Sequence, residues 1–139
     1  MNITLNRKNK GLLFEASDEN GISVLIDGGA NSLLGEGKSL SPMQLVLSAV
    51  AGCSVFDVVT ILHKQKQDLL DIQVQAHAER SDAVPAIFET IHLHFVLIGD
   101  LNEKKVQRAL KLSVEKYCSV GKMIGKSAII TYDYEINQQ

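Results

Sequence analysis

Ser41-Pro42-Met43-Gln44-Leu45-Val46-Leu47-Ser48-Ala49-Val50-Ala51-Gly52-Cys53-Ser54-Val55-Phe56-Asp57-Val58-Val59-Thr60-Ile61-Leu62-His63-Lys64-Gln65 is the stretch on which the fold turns. A serine that can cap free amides, followed by a proline that fits the first helical position, is a strong helix start. It predicts a helix over about residues 42–65. Leu45, Val46, Leu47, Ala49, Val50, Val55, Phe56, Val58, Val59, Ile61 and Leu62 fall on every face of that helix, so it is wrapped by protein or by lipid. Asp57 decides for protein, because a carboxylate near the middle of a membrane span costs roughly 2.5–3.5 kcal/mol. A thin sheet covers one side of such a helix, and the other side needs more chain or a second subunit. The expectation is a long buried central helix in a homodimer, with no membrane as partner.

Working outward, residues 2–7, 11–16 and 22–26 are short β-prone runs parted by Lys8-Asn9-Lys10-Gly11 and Asp18-Glu19-Asn20-Gly21, which predicts an antiparallel meander. Asp27-Gly28-Gly29-Ala30-Asn31-Ser32, with Gly35 and Gly37, lacks the order of a phosphate-binding loop and reads as a connection. Beyond the helix, Ile72, Val74, Ala76 and Ala78 alternate with polar residues, and Ile91, Leu93, Phe95 and Leu97 alternate with His92, His94 and Val96, predicting a hairpin that turns near Ser81–Pro85. Asp100-x-x-Glu103 resembles a capping box, and Val106, Ala109, Leu110, Ser113, Val114 and Tyr117 recur at helical spacing toward Cys118. Ala128–Ile136 is β-branched and aromatic enough for a last strand. The fold class expected is α+β, antiparallel sheets around the central helix plus a second amphipathic helix, as a single domain over residues 1–139.

Composition narrows the function. The 139 residues are 45% hydrophobic and carry a formal charge of −2, with no basic run interleaved with aromatics, which points away from nucleic acid. The N-terminal residues alternate apolar and polar and then turn basic, unlike a secretory signal, so a cytoplasmic location is expected. Two cysteines, Cys53 and Cys118, are too few and too far apart for a disulfide scaffold, a CxxC redox motif or structural zinc. They are either two inert buried thiols or a reactive pair.

Gly52 removes a side chain beside Cys53 at a cost of about 0.8–1 kcal/mol relative to alanine, which calls for close packing of another helix or access for a substrate. Cys53 lies beyond the reach of the helix dipole, and Asp57, one turn on, would raise its pKa, so a thiolate there needs a cation from elsewhere. His77, His92 and His94 lie on polar strand faces and are read as solvated, with no metal assigned. His63 is a favourable charge at the helix C-terminus, and Tyr117 is read as core packing.

The segment Leu40–Ser54, joined to Lys116-Tyr117-Cys118-Ser119-Val120-Gly121-Lys122-Met123, resembles the osmotically inducible protein C and organic hydroperoxide resistance family. The resemblance extends to the order of elements over nearly the whole chain. It implies an intertwined homodimer with two interfacial sites and no cofactor. In the family's peroxidases the helix cysteine is the peroxidatic thiolate and the later one resolves its sulfenic acid, so the resemblance assigns those roles to Cys53 and Cys118. It further implies a small hydrophobic peroxide as substrate and a small dithiol or protein as reductant. Where those peroxidases place a Glu that holds an Arg against the thiolate, this chain has Met43, followed by Gln44; Arg7 is the N-terminal candidate for the cation. The alternative reading is a non-enzymatic dimer that binds an apolar metabolite in the interfacial pocket.

Overall fold

Three short strands open the chain: β1 (Thr4–Arg7), β2 (Phe14–Ser17) and β3 (Ser23–Ile26), antiparallel in the order β1-β2-β3. The computed structural model describes residues 1–138. The strands belong to the first of two compact units, Met1–Val46; the second begins at Leu47. Both meander turns are built by side chains that accept from the backbone, as turn chemistry requires. Asn9 Oδ1 takes the amides of Gly11 and Leu13, and Asp18 Oδ1 takes those of Asn20 and Ile22. Gly21 adopts φ 81°, open to glycine at little cost. In the glycine-rich connection, Asp27 is 1% exposed, and its carboxylate accepts from the amides of Glu36 (3.4 Å) and Lys38 (2.9 Å).

The helix α1 (Pro42–Lys64) starts where Ser41-Pro42 predicts. Its start is a reciprocal capping box: Ser41 N–H donates to Gln44 Oε1 at 2.8 Å, and Gln44 N–H donates to Ser41 Oγ at 3.4 Å. His63 and Lys64 occupy its last turn. Within the single chain the helix is buried along one side. Only Val50, Ser54, Val58 and Leu62 are buried, one stripe at every fourth position, while Phe56 is 73% exposed. Of the other apolar residues, Ala49, Phe56 and Val59 are exposed, and Leu45, Val46, Leu47, Val55 and Ile61 are partly covered. By length and composition α1 could cross a membrane; its buried stripe and Asp57 are instead the marks of a helix packed on protein.

The second unit carries a three-stranded sheet in the order β4-β5-β6, formed by β4 (Asp68–Arg80), β5 (Phe88–Asp100) and β6 (Ile129–Asn137). Ile91, Leu93, Phe95 and Leu97 of β5 are fully buried, and the residues between them face outward, as the alternation predicts. Arg80 and Phe88 bracket the hairpin connection. The sheet is mixed rather than antiparallel, because β6 runs parallel to β5. A helical crossover brings the chain back to the same edge, and parallel neighbours require one.

That crossover departs from the sequence reading in three ways. First, α2 (Glu103–Leu112) is capped by Asn102, whose side chain accepts from Lys105 N–H; Asp100 ends β5, so the capping box is not used. Second, the helix does not run smoothly to Cys118. A π-helical turn, Ser113–Tyr117, follows, and α3 (Ser119–Ile124) begins after Cys118. Third, the extra residue of the π turn swings Tyr117 outward, 49% exposed beneath Lys116, rather than into the core.

Candidate functional site

Cys118 is 2% exposed, at the junction between the π turn and α3. Its backbone N–H closes the π turn on Ser113 O at 2.9 Å. Its sulfur accepts from Gly121 N–H at 3.1 Å and from the Ser54 hydroxyl at 3.4 Å, and faces the Val50 carbonyl at 3.8 Å. A Cβ at position 121 would stand 3.1 Å from that sulfur, so glycine keeps the amide within reach. Ser113 Oγ donates to the Ser54 carbonyl at 2.7 Å, which ties the π turn to α1. These bonds seat Cys118 against the buried stripe of α1.

Cys53 stands next to Ser54 at the border of that stripe, half-buried, and its thiol neighbours that of Cys118. Both thiols are free. Burial pushes the Cys118 thiol above its ordinary value; donation from Ser54 and Gly121 opposes this, and the neighbouring Cys53 adds to it. Cys118 is therefore held as a neutral thiol at pH 7. Two sulfurs remote in sequence thus form one pair, consistent with thiol chemistry.

Asp57 lies one turn beyond Cys53 on the same flank of α1, and its Oδ2 is hidden from solvent without a hydrogen-bond partner. Gln44 is engaged in the cap of α1. Arg7 donates from Nε to Gly11 O (3.0 Å) and from Nη2 to Lys10 O (2.5 Å), within its own hairpin. A Cβ added to Gly52 would meet nothing within 4 Å, so nothing in its own chain demands the glycine. His92 and His94 flank Asp133 on the outer face of the sheet, and their bonds hold its carboxyl below the usual range. Among the described residues no cluster of three metal-ligating side chains occurs.

Ser54, Ser113 and Gly121 are the contributors that sequence reasoning passes over. Their signal is a small or hydroxyl-bearing residue at an apolar helical position. A cleft of about 460 Å³ beside α3 is lined by Cys118 but not by Cys53.

The profile of one family, described as OsmC-like protein, matches residues 35–133. A curated relative, Protein YhfA of Escherichia coli, is 43% identical over 128 residues, covering 91% of this chain and 92% of that protein. A crystal structure of a hypothetical protein from Aquifex aeolicus superposes with TM-score 0.85 at 31% identity, covering 99% of this chain and 96% of that one. At 17% identity, the structure titled an organic hydroperoxide resistance protein OsmC from Legionella pneumophila shares the fold with TM-score 0.72, covering 97% of each chain.

Proposed function

Because this chain belongs to the OsmC-like protein family, we propose that it reduces organic hydroperoxides in the cytoplasm with Cys53 as attacking thiolate and Cys118 as resolving thiol. One observation carries the proposal: two free thiols more than two elements apart in sequence are neighbours, one half-buried and the other buried. The solved relative titled an organic hydroperoxide resistance protein supports the substrate class.

In the first step, Cys53 S⁻ attacks the terminal oxygen of ROOH. The O–O bond breaks, the alkoxide leaves and takes a proton as ROH, and Cys53 becomes a sulfenic acid. Cys118 then attacks the Cys53 sulfur, water leaves, and a disulfide forms. Two thiol equivalents from a small dithiol or a protein reductant restore both cysteines. The thiolate needs a cation from outside its own helix, and Arg7 is the candidate that the family resemblance offers. The acceptor for hydrophobic peroxides is the partly uncovered apolar face of α1, around Gly52 and Phe56, closed by a second copy of the chain. Association through that face supplies the packing partner that Gly52 lacks in its own chain.

The test is the rate at which reduced protein consumes cumene hydroperoxide in stopped flow. Wild type should react in a burst stoichiometric with Cys53, and Cys53→Ser should abolish it; an equal rate in the variant sinks the proposal. A second reading, a non-enzymatic dimer that binds an apolar metabolite, is favoured by Met43 where the family's peroxidases carry Glu. It predicts unreactive thiols and a co-purifying ligand.

A further inference from the structure

Thiol–disulfide exchange is an in-line displacement: the entering sulfur, the attacked sulfur and the leaving sulfur approach a straight line. In a Cys53–Cys118 disulfide, the Cys53 sulfur lies toward α1, so an attacker of Cys118 has to arrive from the side away from α1. A cleft of about 460 Å³ beside α3, lined by no residue of α1, has Cys118 and Gly121 in its wall, Val114, Ala128 and Ile130 as apolar lining, and Lys122 and Lys126 among its lining residues. Lys122 lies in α3 and Lys126 in the turn that follows it, and both line the same cleft as Cys118. Glu115 is the single acidic residue in the lining, which leaves a net positive cleft.

We propose that this cleft is the docking site of the reductant, and that it selects a thiol or dithiol bearing carboxylates. The inference rests on the redox pair of the proposed function. The reductant thiolate attacks Cys118 Sγ; the Cys53–Cys118 bond breaks and Cys53 leaves as a thiolate. A second reductant thiol attacks the mixed disulfide at the reductant's own sulfur, releasing Cys118 and an oxidised reductant. The burial that holds the Cys118 thiol above its ordinary range makes it a poor leaving group, which favours attack at Cys118 over attack at Cys53. Peroxide and reductant then use different doors: the apolar flank of α1 for one and the lysine-lined cleft for the other.

The disulfide is made with diamide, so the experiment runs whether or not the protein reduces peroxides. Its reduction is followed in wild type and in Lys122→Glu/Lys126→Glu with meso-2,3-dimercaptosuccinate, a dianionic dithiol, and with neutral dithiothreitol. The double variant should slow dimercaptosuccinate by about tenfold or more, through loss of attraction and gain of repulsion, and change dithiothreitol by less than about twofold. Trapping with the monothiol 3-mercaptopropionate and acid quenching should place the adduct on Cys118. Equal slowing of both reagents, no slowing of dimercaptosuccinate, or an adduct on Cys53 overturns the inference and leaves the peroxidase proposal standing. Failure of diamide to join the cysteines overturns both.

Discussion

Truncating Phe56 to alanine should leave the isolated chain folded and loosen its association. Phe56 is 73% exposed in the single chain, so the truncation removes little packing there, and alanine is the better helix former. Covering a phenylalanine fully is worth about 1.5–3 kcal/mol, and with most of its area still open, about 1–2 kcal/mol per chain is left for a second copy to provide. A two-fold interface presents the residue twice, so about 2–4 kcal/mol of association is at stake, a rise in Kd of roughly thirtyfold to a thousandfold. Sedimentation velocity from micromolar to nanomolar protein should show the variant dissociating at higher concentration than wild type, with unchanged far-ultraviolet circular dichroism. Superimposable dilution curves would refute the enclosure of α1 by a second chain; a variant that unfolds would refute the exposed placement of Phe56.

Gly52→Ala should stabilise a chain held monomeric by Phe56→Ala by about 0.8–1 kcal/mol in urea unfolding, because nothing in the chain meets the new Cβ, while weakening association of the otherwise wild-type chain. Asp57→Ala should raise the urea midpoint, by an amount worth about 1–2 kcal/mol, since it removes a hidden carboxylate oxygen without a donor; a fall would mean that the oxygen has a partner. The folded state holds the Cys118 proton more tightly than the unfolded chain does. Stability from that preference is full below the ordinary thiol pKa of about 8.5 and is lost as pH rises through the folded value. Urea unfolding of reduced protein at pH 7 and 9.5 should therefore show an alkaline loss that Cys118→Ala diminishes. Limiting iodoacetamide at pH 7 should alkylate Cys53 before Cys118, as mass mapping would report, because Cys118 is the more buried of the two and neutral.

Much of this architecture is legible in residues whose physics is local. Ser41-Pro42 starts α1 because capping and a fixed φ act within one turn, and the alternation around Ile91–Leu97 marks β5 because one face of a strand is buried. The cysteine pair is legible only as a resemblance; its closeness depends on Ser113 bonding the Ser54 carbonyl across the fold, which spacing cannot express. The crossover is misread where long-range and cap terms compete. Asn102 outcompetes Asp100 for the cap because Asp100 is held in the β5 pairing, and the π turn, which exposes Tyr117, leaves no mark in a helical repeat. The parallel setting of β6 requires a long connection, but neither the length nor the composition of that connection dictates it. The partly uncovered faces of α1 were foreseeable from apolar residues on every side, whereas which faces its own chain covers depends on packing.

The most direct measurement is the intact mass of denatured, alkylated protein after seconds with one equivalent of cumene hydroperoxide. A redox pair loses two hydrogens, takes up no alkyl groups, and yields one peptide linking Cys53 to Cys118, while Cys118→Ser stops at a Cys53 sulfenic acid that dimedone traps. Two alkylated thiols after a tenfold excess of peroxide would contradict it.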